Sequence, residues 1–133
     1  MSYERKRAGT IPITKDNKLV LISSIKKGDY VFPKGGIELS LNESAKIAAE
    51  RETLEEAGVK GVIEDNSFYT DSYGIKWFIL RVNEILDVWD ENHKRKRIFV
   101  DVSDLTEENV MPKIKLRNNV LETVKAAVKL NKI

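Results

Sequence analysis

Apolar and small residues alternate with polar ones from Ala8 to Thr14, and a second apolar run, Leu19 to Ile22, sits inside Lys18 to Ile25. Asp16-Asn17 separates them, so the two segments read as strands of a hairpin, the second largely buried. Tyr30-Val31-Phe32 follows the Lys26-Lys27-Gly28-Asp29 turn as a short strand. Lys60 to Glu64 and Phe68 to Asp71 are extended, and Ile98 to Val102 is a further strand. Ile75 to Ile85 has the length and the β-branched and aromatic content of a central strand, with Trp77, Phe78, Ile79 and Leu80 in the core. The period becomes helical twice. One helix runs from near Leu41 to Ala57. The other runs from Leu116 to about Asn131, with Val120, Leu121, Val124, Ala127 and Val128 on its apolar stripe. Ser103 to Glu108 reads as a short capped helix or turn. Strands on both sides of a central helix, and a closing helix, predict an α/β fold: a mixed sheet between helices, in one domain over residues 1–133.

The helix ending at Ala57 carries the informative charges. Ser40 and Glu43 have the spacing of a capping box, which predicts a start near Leu41. Gly58 stands where a left-handed C-terminal cap is wanted. Glu52, Glu55 and Glu56, spaced i, i+3, i+4, share one face of the last turn. The helix macrodipole is negative there, so each carboxylate is disfavoured by about 0.3–1 kcal/mol before mutual repulsion is added. A hard divalent cation reverses that sign, since Mg²⁺ takes carboxylate oxygens and bridges to phosphates. Arg51 lies four residues before Glu55 and eight after Glu43, placed to hold the carboxylates.

Pro33-Lys34-Gly35-Gly36, Glu43, and Arg51-Glu52-Thr53-Leu54-Glu55-Glu56-Ala57-Gly58-Val59 together resemble the signature of the Nudix hydrolases, G-x5-E-x7-R-E-U-x-E-E-x-G-U with U apolar. The signature region covers residues 35–59 and the wider likeness roughly residues 5 to 130. Two positions depart from the pattern. Gly35 to Glu43 is two residues longer, which predicts a longer loop before the helix. Thr53 replaces an apolar residue, which predicts slightly weaker packing beneath it. The resemblance implies an α/β/α sandwich and a metal-dependent attack of water on a diphosphate. Mg²⁺ is the implied cofactor, with Mn²⁺ as a substitute. It further implies Glu52, Glu56 and the backbone carbonyl of Lys34 as metal ligands. Glu55 is then the general base and Arg51 its catalytic partner.

Within that family the loops look most like those of the diphosphoinositol polyphosphate phosphohydrolases, which also hydrolyse diadenosine polyphosphates. Tyr3 to Ala8, Val59-Lys60-Gly61, and the acidic tryptophan loop Val82 to Asp90 running into Arg95-Lys96-Arg97 carry that likeness. A substrate with many phosphates needs converging cations. The candidates are Arg5, Lys6, Arg7, Lys26, Lys27, Arg97, Lys113 and Lys115, with Gly35 and Gly36 at the phosphates. Arg97, at the start of a strand, is the expected rigid clamp, and Lys94 to Lys96 the steering charges. The turn before the central strand, Asp71-Ser72-Tyr73, has only Lys76 nearby where better-known members carry a basic cluster. The alternatives are a hydrolase of capped or triphosphate RNA ends and a fold that binds such ligands without cleaving them.

Composition narrows the partners. A net charge of +2 gives no strong nucleic-acid signal, so any cationic site is local. The absence of cysteine excludes disulfide and thiol chemistry. There is no signal-like leader and no run of 18 apolar residues, which predicts no membrane contact and a cytoplasmic, alternatively nuclear, monomer acting on a small-molecule polyphosphate.

Overall fold

Strand β1 (Arg7–Ile13) lies at the centre of the chain's layered arrangement in a computed structural model, which describes residues 6–106 and 114–133. On one side of the sheet Ala8 packs in a core with Val20, Ile22, Phe78, Leu80 and Val82, together with Ala48, Ala49 and Ala57 of helix α1 (Ala45–Ala57). On the other, Ile11 and Ile13 pack with Leu19, Leu21, Ile75 and Trp77. That second core is closed by Val120, Val124 and Ala127 of α3 (Asn118–Lys129) and by Val102 and Leu105 of α2 (Val102–Thr106). The period-2 alternation of the strands thus feeds two apolar cores, one under each helical layer. Trp77, Phe78 and Leu80 are all buried, as the sequence predicts.

The sheet is mixed. β1 pairs in parallel with β7 (Ile75–Ile85), from Arg7 opposite Ile75 to Ile13 opposite Arg81. The main order is β3-β2-β1-β7-β5, with β2 at Lys18–Ser23, β3 at Tyr30–Val31 and β5 at Val59–Val62. Three further strands pair antiparallel: β4 (Lys34–Gly36) with β1, β6 (Tyr69–Thr70) with β7, and β8 (Arg97–Asp101) with β2. This is the expected α/β sandwich.

The last helix starts at Asn118, not Leu116, and Leu121 and Val128 of its expected stripe are exposed. Two expectations about α1 also change. The helix does not start near Leu41: residues Leu39–Leu41 form one 3-10 turn, Asn42 is left-handed, and α1 begins after Ser44. The Ser44 hydroxyl accepts the Ile47 N–H, so Ser44 is the N-cap in place of Ser40. Glu43 cannot complete a capping box, because its carboxylate accepts the Glu38 N–H and both ends of the Arg51 guanidinium fork.

Thr53 is the second change. It is fully buried; its hydroxyl donates to the Ala49 carbonyl and lies 2.7 Å from the Thr10 hydroxyl of β1. With that donor committed, Thr10 donates to Thr53. The position is therefore a satisfied polar pair between helix and sheet, not a packing defect. Thr53→Val is expected to destabilise the protein by about 1–3 kcal/mol by stranding the Thr10 hydroxyl. The Thr10→Val/Thr53→Val double variant should recover most of that loss in urea titrations. A double variant as unstable as the sum of the singles would contradict the pairing.

Candidate active site

α1 ends at Gly58, whose φ of 65° is left-handed and whose N–H caps the Leu54 carbonyl. Small residues on its inner face (Ala48, Ala49, Thr53 and Ala57) set the helix down on the sheet, and Glu56 lies on that same buried side. The other acidic residues fan out beside it around Arg51. Its Nε and Nη2 bind Glu43 at 2.8 and 2.9 Å, and Nη1 reaches Glu52 at 2.9 Å and Glu55 at 3.5 Å. Nη2 also donates to the Gly36 carbonyl at 2.9 Å. One guanidinium therefore ties three carboxylates and the glycine loop together. Its hydrogen bonds hold the Glu43 carboxyl down at about 2.

The glycine loop is pressed against the helix. A Cβ on Gly35 would overlap the Glu52 carboxyl as placed here, so a larger residue would require that carboxylate to move. The Lys34 N–H donates to Glu56 Oε1 at 3.2 Å. Glu56 is buried, and desolvation pushes its carboxyl up to about 8, against the pull of Arg95 and of the Lys34 N–H. Burial also raises Glu52, with the Arg51 hydrogen bond opposing. A carboxyl whose pKa is higher folded than unfolded binds its proton preferentially in the native state. The Glu56 contribution to stability is thus complete below about pH 4.5 and is lost as pH rises towards 8. The metal-free protein is expected to lose stability across that interval, and a saturating divalent cation should flatten the dependence. Thermal melts from pH 5 to 9 with and without the ion check this; a metal-free profile that rises with pH would contradict it.

A cavity of about 310 Å³ opens beside Glu56, and one of about 580 Å³ adjoins it. They share Arg7, Lys34 and Arg117 in their walls and so form one cleft. The smaller is lined by Gly35, Gly36, Glu56, Lys26 and Arg95, and the larger by Lys27, Lys115 and Tyr73. Of the expected substrate residues, Arg7, Lys26, Lys27, Gly35, Gly36 and Lys115 meet there. Lys6 is exposed and lines neither cavity, while Arg5 and Lys113 lie outside the described residues.

Three cations of the cleft are not among the expected phosphate contacts, Arg95 being expected only to steer. Lys34 is one; its desolvation lowers the ammonium pKa, with Glu56 opposing. Arg117 arrives because residues 115–117 run beside Tyr30, whose N–H donates to the Lys115 carbonyl and whose own carbonyl accepts the Arg117 N–H. It pairs with the buried carboxylate of Asp29 at 3.2 Å. Arg95 is the third. It lies 3.7 Å from Glu56, 2.8 Å from Glu91, and donates to the Ser23 carbonyl at 3.0 Å.

Arg97, the expected clamp, does not line either cavity. Its Nη1 donates to the carbonyls of Ala57 and Leu86, each at 2.9 Å, and its guanidinium stacks 4.1 Å from the Trp89 ring and 5.5 Å from Phe99. Of the basic run, Arg95 faces the cleft instead, and Lys94 and Lys96 are exposed. A separate pocket of about 150 Å³, lined by Asp65, Phe68, Arg81 and Lys132, contains none of these carboxylates.

The NUDIX domain family model matches residues 4–120. The chain belongs to the Nudix family. It is 38% identical over 113 residues to Nudix hydrolase 17, mitochondrial, of Arabidopsis thaliana, covering 79% of this chain and 61% of that protein. To diphosphoinositol polyphosphate phosphohydrolase 2 of Rattus norvegicus it is 34% identical over 102 residues, covering 68% of this chain and 53% of that one. The chain thus spans little more than half the length of these relatives. The C. elegans Ap4A hydrolase superposes with a TM-score of 0.64 at 22% identity, over 96% of each chain, which is a likeness of fold.

Nudix hydrolases generally use divalent metal ions. Among the described residues of this Nudix domain no three acidic, histidine or cysteine side chains stand in a metal-holding array, and Arg51 and Arg95 pair with the glutamates. The donor set nonetheless fits such an ion: burial disfavours ionisation of the neighbouring Glu52 and Glu56 carboxyls, and a hard cation would offset that cost. No described helix is long and apolar enough to cross a membrane.

Proposed function

We propose that residues 1–133 form a Nudix domain that hydrolyses a phosphoanhydride bond in a small, highly phosphorylated molecule, a diphosphoinositol polyphosphate or a diadenosine polyphosphate. One observation carries this reading: a cationic cleft walled by Arg7, Lys34, Arg95 and Arg117 opens onto Glu56, the buried glutamate of α1. Glu52, Glu56 and the Lys34 carbonyl would hold Mg²⁺. When bound, that ion lowers the pKa of water and neutralises charge on the leaving phosphate. Glu55, beside them and half-buried, takes the proton of the attacking water on its carboxylate. Arg51 keeps Glu52 and Glu55 in register with the glycine loop. Arg95 and Arg117 present planar donors to the phosphates, and Lys26, Lys27 and Lys115 add charge at the open edge. The test is turnover, with Mg²⁺, of an inositol pyrophosphate, diadenosine pentaphosphate, a capped RNA and a sugar nucleotide. Hydrolysis of either of the first two supports the proposal. Preference for the RNA would move the assignment to RNA ends, and tight binding without turnover would make this a binding module.

A further inference from the structure

The last turn of an α-helix leaves its final carbonyls without partners inside the helix. In α1 the carbonyls of Glu55, Glu56, Ala57 and Gly58 are all taken up by one segment, residues 86–97. The Glu91 N–H donates to Glu55, the Trp89 indole N–H to Glu56, Arg97 to Ala57, and the Leu86 N–H to Gly58. The Trp89 ring also fills the space a Cβ on Gly58 would need, and the Arg97 guanidinium carbon lies over that ring at 4.1 Å. A cation is thereby placed against the negative end of the helix that carries Glu52, Glu55 and Glu56. The same segment also sets Arg95, paired with Glu91, against Glu56.

We propose that Trp89 and Arg97 are positioning residues for the hydrolytic reaction. They hold the turn bearing Glu55 and Glu56, and the loop bearing Arg95, in one fixed relation, and they touch no substrate. The proposal rests on the function proposed above. It assigns the acidic tryptophan loop and the end of the basic run a role distinct from phosphate binding. Loss of the latch lets the helix end fray, so the carboxylates and Arg95 lose alignment together. The effect is on kcat and on metal affinity, and it is the same for every substrate, because no phosphate contact is removed.

The experiment compares wild type with Trp89→Phe, which keeps a ring and removes the indole donor, and with Arg97→Lys and Arg97→Ala. Folding is monitored by circular dichroism at 15 °C. Three quantities are read: kcat and KM for the two preferred substrates, Mn²⁺ affinity by calorimetry, and amide exchange of residues 54–58 in the metal-free protein. Arg97→Ala is expected to lower kcat at least tenfold on both substrates with KM within about twofold, to weaken Mn²⁺ binding severalfold, and to speed exchange at least tenfold. Trp89→Phe should move the same quantities less, and Arg97→Lys should recover part of the loss, since an ammonium can still reach the carbonyls. If Arg97→Ala does not fold, Trp89→Phe and Arg97→Lys decide the matter on the same readings. A rise in KM alone would make Arg97 a substrate clamp and overturn the proposal. A lower melting temperature with kcat, Mn²⁺ affinity and exchange unchanged would overturn it as well. A wild type that hydrolyses nothing in the panel overturns the proposed function, and with it the positioning role. Active wild type with indistinguishable variants overturns the positioning role alone.

Discussion

Glu55→Gln is expected to lower kcat by about 10²–10⁴-fold while leaving the protein folded, the range that loss of a general base produces. Glu55 is the signature glutamate least committed to the fold. Among the described residues its carboxylate has one ion-pair partner, Arg51 at 3.5 Å, and about a third of the side chain is exposed. Its backbone carbonyl, held by the Glu91 N–H, is untouched by the substitution. Removing one negative charge from a helix C-terminus should, if anything, stabilise the metal-free protein slightly. Steady-state kinetics together with a thermal melt separate the two effects. A residual rate above about a tenth of wild type would move the base to another carboxylate.

Arg51→Met should have the largest effect on stability. It removes the common partner of Glu43, Glu52 and Glu55, and the donor to the Gly36 carbonyl. Glu43 and Glu52 are only 10% and 13% exposed at the side chain, so both lose their ion-pair partner while largely desolvated, and Glu43 keeps the Glu38 N–H. Breaking such pairs from one side costs about 3–5 kcal/mol. The acid limb of the stability curve should change shape as well. Glu43 is lower in pKa folded than unfolded, so its contribution is present above about pH 4.5 and is lost as pH falls towards 2. In Arg51→Met that limb should flatten. Urea titrations between pH 3 and 7 measure both; an unchanged acid limb would mean that Glu43 owes its low pKa to the Glu38 N–H instead.

The parts of this molecule that follow local rules are legible in its sequence. Gly58 as a left-handed cap, the shared face of Glu52, Glu55 and Glu56, and the alternation of β7 depend on residues within a turn or two of each other. The start of α1 is not legible, because Ser40 and Glu43 satisfy a capping rule that Arg51, eight residues on, overrides by taking the Glu43 carboxylate. Strand β4 is also hidden: Lys34-Gly35-Gly36 has no strand propensity, and it is extended because it pairs with Arg7 to Gly9. The site divides in the same way. The carboxylates come from one helix and are found together. The cations Lys34, Arg95 and Arg117 come from three separate segments, brought to one cleft by pairings that no short-range pattern encodes. In the run from Lys94 to Arg97, charge alone does not distinguish the residue facing the cleft from the one stacked on Trp89.

The parallel pairing of β1 with β7 carries a consequence for how the chain acquires this site. Arg7 must meet Ile75 and Ile13 must meet Arg81, with the hairpin, the glycine loop and the whole of α1 looped out between them. Closing so long a loop is entropically unfavourable until its contacts form, and topologies dominated by such contacts fold slowly. Thr10 and Ala8, the floor on which α1 rests, belong to this late-forming pair. Pulse-labelled amide exchange during refolding should therefore show α1 and β7 gaining protection in the same phase. Early protection of α1 alone would contradict that order. A nascent chain that has emerged only as far as Thr70 already contains every carboxylate of the site and still lacks the strand that would complete their support.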